Sequence, residues 1–328
     1  MTEQLLAKIE KSKETLKLAS EMSHHYYQEP IVICYSGGKD SDVILRLAMD
    51  CLKPEQFEVL HSITTVDSPI TNRYVNEVFA ELKGKGIKAR KSIPTGKDGK
   101  PTNMWKLIPE RKMPPTRIAR YCCRVLKETA TPNRIACIGV RADESSKRQG
   151  RDVFGVRGGS YSEATFFSLE HTAEVHREAL EKEQEPNGTV WDCTLIKVMR
   201  EKQDTVVSPI YEWSDSDVWD YIKAGGWKYN PMYDMGYHRV GCIGCPLATY
   251  KQKLKEFADF PTYKQHYIKA FEELLATNPK ARQKWSSGEE VFKWWIEENK
   301  HTTQGQMTLA DYQTDEWGLI VRKPNEKE

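Results

Sequence analysis

The sequence predicts an α/β fold: a doubly wound, mostly parallel sheet with a helical C-terminal unit. Three observations carry this. Short β-branched runs alternate with helical patterns at least four times between residues 31 and 140. The first run breaks at Ser36-Gly37-Gly38 and passes straight into a helix pattern. After Cys245, residues 263–275 and 289–299 show helical spacing. Strands that alternate with helices pair in parallel, because each crossover returns the chain to the same end of the sheet.

In chain order, Leu5, Ile9, Leu16, Ala19 and Met22 recur at helical spacing, so residues 1–27 form an amphipathic N-terminal helix, with His24-His25 on its surface. An α/β domain follows over 28–246, and a helical unit over 247–328. Its first strand begins at Ile31 and breaks at Ser36-Gly37-Gly38, and the helix after the glycines runs through Val43 to Met49. A second strand over 57–66 ends at Asp67-Ser68-Pro69. A carboxylate at that end of a strand faces the crevice where open sheets bind ligands, so Asp67 is a candidate nucleotide or metal contact; the plain alternative is a helix N-cap. Residues 71–82 are helical, and the positive run over 83–91 around a third strand is read as a solvated edge. A Pro/Gly loop from 94 to 101 and a short helix at 105–108 precede a helix over 114–127, expected to start at its prolines. A strand over 134–140 leads into Arg141 to Arg148. From about 149 to 203 the pattern degrades into an insertion with one charged helix near 171–184. Ser214 and Asp217 form a capping box for a helix through Ile222, and Phe292, Trp294, Trp295 and Ile296 are core residues of the C-terminal unit.

Composition narrows the function classes. The 328 residues are 29% charged with a net charge of +2, so no global field attracts nucleic acid and any basic surface is local. No apolar run approaches the ~20 residues of a membrane span. A soluble, cytoplasmic protein without a membrane partner is expected. Eight cysteines are too few for a disulfide scaffold, and four of them fall in two tight groups, which in a reducing compartment suggests metal.

Two motifs carry chemistry. In Ser36-Gly37-Gly38-Lys39-Asp40-Ser41 the glycines let the backbone approach an anion, N–H groups at the helix start point toward it, and Lys39 adds charge. The spacing is not that of a Walker A loop. Cys122-Cys123 and Cys242-x-x-Cys245 form a set of four soft ligands suited to zinc or an iron–sulfur cluster. Adjacent cysteines are awkward for a small zinc knuckle, and a cubane tolerates them better. Cys34, Cys51, Cys137 and Cys193 stand singly in apolar runs and are read as packing residues.

The Ser36–Ser41 loop resembles the pyrophosphate-binding loop of the adenine nucleotide alpha-hydrolase (PP-loop ATP pyrophosphatase) superfamily, whose members adenylate a substrate with ATP. The likeness sharpens with Tyr121-Cys122-Cys123-Arg124-x-x-Lys127, with Gly139 to Ser145 and Arg148, with Pro209-Ile210-x-x-Trp213, and with the Cys242/Cys245 turn. Over about residues 30 to 250 these resemble the phosphoadenosine phosphosulfate (PAPS) reductase-like branch. That branch holds sulfonucleotide reductases with a [4Fe-4S] cluster and the sulfurtransferases that make DNA phosphorothioates, the latter being closer in motif.

The resemblance implies an adenine-nucleotide-binding domain, ATP and Mg2+ as reactants, and a [4Fe-4S] cluster on Cys122, Cys123, Cys242 and Cys245, with Zn2+ the alternative. It implies that Ser36, Gly37, Gly38, Lys39 and Ser41 hold pyrophosphate, that Asp40 and Asp67 face Mg2+, and that Arg141, Ser145 and Arg148 contact nucleotide or acceptor phosphate. Lys39 and Asp40 are the catalytic candidates. A thioredoxin-linked reductase needs a further cysteine on a C-terminal tail, and none follows Cys245. The expectation is therefore a pyrophosphate-releasing sulfurtransferase served by a sulfur donor such as a cysteine desulfurase. A sulfonucleotide reductase and a non-catalytic nucleotide-sensing regulatory or defence-complex subunit are the alternatives. Two basic groups, one from Arg111 to Lys127 and one comprising Lys147, Arg148, Arg151 and Arg157, favour a DNA or RNA acceptor. An oligomer is allowed by the sequence.

Overall fold

The computed structural model describes the chain except residues 146–147, 158–163, 184–193, 298–311, 315–319 and 323–328, with backbone alone at 157, 164, 312–314 and 320–322. The helices are α1 (Glu3–Met22), α2 (Lys39–Cys51), α3 (Pro69–Gly84), α4 (Met104–Arg111), α5 (Tyr121–Cys123), α6 (Leu169–Glu183), α7 (Thr194–Arg200), α8 (Asp215–Ala224), α9 (Tyr250–Asp259), α10 (Pro261–Thr277), α11 (Pro279–Lys284) and α12 (Gly288–Glu297). The strands are β1 (Ile31–Cys34), β2 (Phe57–Ser62), β3 (Ala89–Ser92), β4 (Ile135–Cys137), β5 (Phe154–Arg157), β6 (Ala164–Phe167), β7 (Thr205–Val207), β8 (Tyr312–Thr314) and β9 (Ile320–Arg322). They fall into two compact units: Met1–Ser62, Ile70–Ser92 and Thr131–Val240 form the first; Ile63–Pro69, Ile93–Ala130 and Gly241–Glu328 form the second.

The first unit is built on a seven-stranded sheet of order β3-β2-β1-β4-β7-β5-β6. Its first five strands are parallel, and β5 runs antiparallel to both β7 and β6. Ile31, Val32 and Ile33 are fully buried, because a parallel strand covered on both faces is apolar throughout. From β1 the chain steps to β2 and β3 on one side and returns to β4 on the other. The crevice beyond the ends of β1 and β4 is thus the switch point where such sheets receive ligands.

The described residues within 149–203 hold more regular structure than their sequence suggests. They contribute α6, α7 and the β5–β6 hairpin, which extends the sheet. The glycine that reads as irregularity at 155 is a packing requirement: a Cβ there would lie 2.8 Å from the Phe166 ring. Cys193 and Lys147 lie outside the described residues.

α1 buries Leu5, Ile9, Leu16, Ala19 and Met22, and continues as a π-helical turn, Ser23–Tyr27, that buries Tyr26 and Tyr27. The capping box of α8 forms: Asp217 N donates to Ser214 Oγ at 3.1 Å, and Ser214 N to Asp217 Oδ2 at 2.8 Å. Among the described residues no helix is long and apolar enough to cross a membrane.

In the second unit, α10 packs on α4 and α12 around fully buried Trp295, Tyr267 and Phe271. Lys253 is wholly buried, with its ammonium 4.6 Å from the Trp295 ring centroid and 3.3 Å from the Trp295 carbonyl. The helix expected over 114–127 is shorter, Tyr121–Cys123 followed by the π-turn Arg124–Glu128. Thr116 closes a turn on Ala119 instead, and the Pro115 carbonyl accepts from Trp295 Nε1 at 2.7 Å, which holds the prolines in a loop. The C-terminal helix is described to Glu297; the expected extension to Asn299 lies outside the described residues. β8 and β9 pair as an antiparallel hairpin.

Behind the glycine turn, Tyr35 Oη donates to Asp42 Oδ1 at 2.6 Å, and burial pushes the Asp42 carboxyl up to about 7. An unfolded Asp titrates near ~3.9, so the fold favours the protonated form; that stabilisation is complete below about pH 4 and is lost as pH rises through about 7. Asp42→Asn, which cannot ionise, should therefore gain on the wild type as pH rises from 4 to 8, by roughly 4 kcal/mol at most. Thermal melts of both proteins across this range check the sign; a gap that narrows with pH would refute it.

Candidate nucleotide loop and thiol centre

The loop after β1 is shaped by its glycines. Gly37 sits at φ 76°, a left-handed backbone that a side chain strains, with Val75 3.0 Å from where a Cβ would lie. Its carbonyl accepts from Asn230 Nδ2 at 2.9 Å. Ser41 Oγ donates to the Gly38 carbonyl at 2.7 Å and lies 3.2 Å from Ser36 Oγ, so the two hydroxyls close the turn on itself. Lys39 N donates to Tyr233 Oη at 2.9 Å. Tyr233 and Asn230 brace the loop from the segment after α8, and the sequence gives no signal for either role.

Charge concentrates at the mouth of this loop. Lys39 and Arg141 are 5% and 3% exposed, which obliges each to be paired. Arg141 Nε meets Asp40 Oδ1 at 2.7 Å, and its Nη2 meets Asp215 Oδ1 at 2.9 Å. Lys39 Nζ lies 2.9 Å from the same Asp215 oxygen and 3.4 Å from Asp40 Oδ2. Burial works to raise the Asp215 pKa, but Lys39 and Arg141 outweigh it and hold the carboxyl below its ordinary value. Gly139 is the close approach that allows this: a Cβ there would come within 2.9 Å of Asp40 Cβ.

Six loop residues and Arg141, all singled out by the sequence, are thus brought together. Ser145 ends a short 3-10 turn, Ala142–Glu144, in extended backbone, and Arg148 pairs with Glu144. Asp215 is the participant that sequence reasoning missed, since it sits beside a helix cap and resembles one.

In the second unit the Cys242–Cys245 turn is fixed from three sides. Ile243 N donates to the Val66 carbonyl at 2.7 Å, and Tyr267 Oη donates to the Ile243 carbonyl at 2.9 Å. Gly244 stands at φ 70°, and a Cβ would lie 2.8 Å from both Phe257 and Trp295. Its N–H donates to buried Glu256 at 2.7 Å. Asp67 forms a backbone bridge with Cys242, and its carboxylate accepts from Thr64 Oγ1 at 2.7 Å. These contacts place it in the second unit, beside the Cys242 turn.

The four thiols sense one another. A hydrogen bond from Cys122, assisted by the charges of Lys127 and Arg120, holds Cys123 down to about 6 against burial. The same bond, then burial and the charges of Cys123, Cys242 and Cys245, drive Cys122 upward. Burial raises Cys242 to about 11, while Lys127 works against it. Lys127 is an exposed residue, yet the negative charge of Cys242 first, then of Asp67, raises its pKa. Among the described residues, no three His, Cys, Asp or Glu side chains are arranged about a single-ion position. The donor set, four soft thiols with a neighbouring cation, suits zinc or an iron–sulfur centre. Cys34 and Cys137 are raised by burial, as packing residues are.

The two basic groups are divided between the units. Arg111, Lys112, Arg117, Arg120, Arg124 and Lys127 belong to the second unit, and Arg148 and Arg151 to the first. Arg117 donates to the Leu247 carbonyl at 3.3 Å, and Arg151 lies 5.5 Å from the Phe166 ring centroid. Nothing is described of the Arg157 side chain.

Residues 30–248 match the family model of the phosphoadenosine phosphosulfate reductase domain. An uncharacterized protein of Methanocaldococcus jannaschii is 24% identical over 243 residues, covering 71% of this chain and 40% of that protein. An adenosine 5'-phosphosulfate reductase of Anoxybacillus flavithermus is 32% identical over 74 residues, 23% of this chain and 31% of that one. The chain thus spans less than half the length of these two relatives. Among solved structures, the phosphoadenylyl-sulfate reductase of Candida auris superposes with a TM-score of 0.40 at 16% identity, covering 70% of this chain and 87% of that one. The U34-tRNA thiolase NcsA of Methanococcus maripaludis, solved with its [4Fe-4S] cluster, gives 0.36 at 11%, covering 90% and 83%.

Gly244→Ala tests the thiol turn. A left-handed alanine costs about 1–2 kcal/mol before any clash is counted, so the melting temperature should fall, and thiol labelling of Cys242 and Cys245 in the metal-free protein should speed up. An unchanged melt with unchanged labelling would show that the turn does not depend on this glycine.

Proposed function

We propose, since the chain belongs to the phosphoadenosine phosphosulfate reductase domain family, that it is an ATP-dependent, pyrophosphate-releasing sulfurtransferase. The observation that carries this is the pairing of two buried cations, Lys39 and Arg141, at a glycine-shaped loop at the sheet's switch point. In this reading an acceptor oxygen attacks the α-phosphorus of ATP, the bond to the bridging oxygen breaks, and pyrophosphate leaves. Backbone N–H groups and the Ser36 and Ser41 hydroxyls receive its oxygens, while Lys39 and Arg141 balance the charge that develops. Asp40 faces Mg2+, and Ser145 and Arg148 are assigned to nucleotide or acceptor phosphate. A sulfur nucleophile from a separate donor, such as a cysteine desulfurase, then displaces AMP.

Cys122, Cys123, Cys242 and Cys245 are the residues proposed to hold a [4Fe-4S] centre, with Asp67 beside them and zinc as the rival occupant. Such a centre, when bound, supplies iron at which sulfur is carried or electrons are passed. The chain's own contribution is to hold the thiols in a rigid turn beside the cation of Lys127. The matched stretch of the adenosine 5'-phosphosulfate reductase supports the second reading, a sulfonucleotide reductase.

Pyrophosphate release on mixing the full chain with ATP and Mg2+ tests the reaction. Supplying DNA, RNA or a small anionic acceptor in parallel identifies the acceptor class, for which the Arg111–Lys127 group favours nucleic acid. Lys39→Ala should weaken ATP binding by about 1–3 kcal/mol, the size of a charge-assisted hydrogen bond. Tight adenosine phosphosulfate binding without pyrophosphate release would favour the reductase, and ATP binding without turnover a sensing subunit. For the centre, anaerobically prepared protein should contain iron and sulfide in about equal amounts, as a [4Fe-4S] cubane requires. Stoichiometric zinc without iron would refute the cluster.

A further inference from the structure

Asp215 stands where a phosphate would be expected to stand. Its Oδ1 lies 2.9 Å from Lys39 Nζ and 2.9 Å from Arg141 Nη2, so a single oxygen accepts from both buried cations. Those cations are almost wholly enclosed, whereas the Asp215 side chain is 57% exposed. It begins α8, and its backbone N–H donates to Asp143 Oδ2 at 3.3 Å. The anchored partners are therefore the cations, and the movable partner is the carboxylate.

The charge count sets a condition on any anion that enters. Lys39 and Arg141 carry two positive charges, already answered by Asp40 and Asp215, with Asp143 3.7 Å from Arg141 as a third carboxylate. A small anion gains nothing by replacing a carboxylate of like charge, and it meets the repulsion of the others. A polyphosphate accompanied by a divalent cation differs on both counts: it spreads several oxygens along the loop, and the cation neutralises the carboxylates it approaches.

Resting on the ATP-loop reading above, we propose that Asp215 is a specificity-determining residue. It is a releasable counter-ion that reserves Lys39 and Arg141 for a metal-loaded polyphosphate and excludes bare anions such as phosphate or metal-free pyrophosphate. Asp215 makes this selection by occupying the cations and then swinging outward, while Asp40 stays in place against Gly139.

The test is calorimetric titration of the full chain with pyrophosphate in excess EDTA and, separately, with ATP and Mg2+. Asp215→Asn keeps the shape and removes the charge; it should bind metal-free pyrophosphate about tenfold more tightly, with a smaller change for Mg-ATP, so the ratio of the two affinities falls. Asp215→Ser, which leaves the Ser214–Asp217 capping box in place, carries the same expectation should the asparagine variant fold poorly. An unchanged ratio would overturn the proposal. So would a loss confined to the titrations with Mg2+, which would make Asp215 a metal contact. If the wild type binds neither ligand, the ATP-loop reading fails and takes this proposal with it, an outcome separate from wild-type binding with an indifferent variant.

Discussion

Two buried cations need counter-charges, and the architecture around the glycine loop follows from that requirement. Lys39 enters the protein at the first turn of α2, and Arg141 enters just beyond β4, so both are carried to one end of the sheet by its strand order. Neither can remain there unpaired, because an isolated buried ion costs several kcal/mol. Asp40 is adjacent in sequence and lies against the Cα of Gly139; Asp215 arrives from the start of α8. The capping box of Ser214 and Asp217 fixes where that helix begins, and so where Asp215 stands.

The second unit solves a parallel problem with hydrogen bonds. The Cys-x-x-Cys turn passes through a left-handed backbone at Gly244, and the N–H groups of the turn are buried by the packing. Glu256 and the Val66 carbonyl answer those of Gly244 and Ile243. The aromatic cluster of Phe257, Tyr267 and Trp295 closes over the glycine so tightly that no side chain fits. The helical C-terminal segment, which in the sequence shows only core aromatics, is the clamp of the cysteine turn.

Asp42 illustrates how far burial can carry a group from its ordinary chemistry. It lies on the helix that carries Lys39. The enclosing core raises its carboxyl to about 7, against the Tyr35 hydroxyl, whose donated hydrogen bond favours the ionised form.

Local chemistry was legible in the sequence wherever one short segment sufficed. The Ser36–Ser41 turn, the apolar run of β1, the amphipathic face of α1, the α8 cap and each of the two cysteine pairs are written within a few residues, since backbone preference and periodicity act over that range. Asp215, Tyr233, Asn230 and Glu256 were not legible, because each acts on a partner that is distant in sequence. An exposed-looking acid beside a cap and a tyrosine in a turn carry no mark of what they will face. The hairpin within 149–203 escaped for the same reason: β5 is held by β7, which follows it by about fifty positions. The sequence by itself determined which groups could bind an anion and which could bind a soft metal. Only tertiary structure decided that the loop's cations already share a carboxylate, because long-range pairing answers to buried charge and close packing, which no short window of sequence contains.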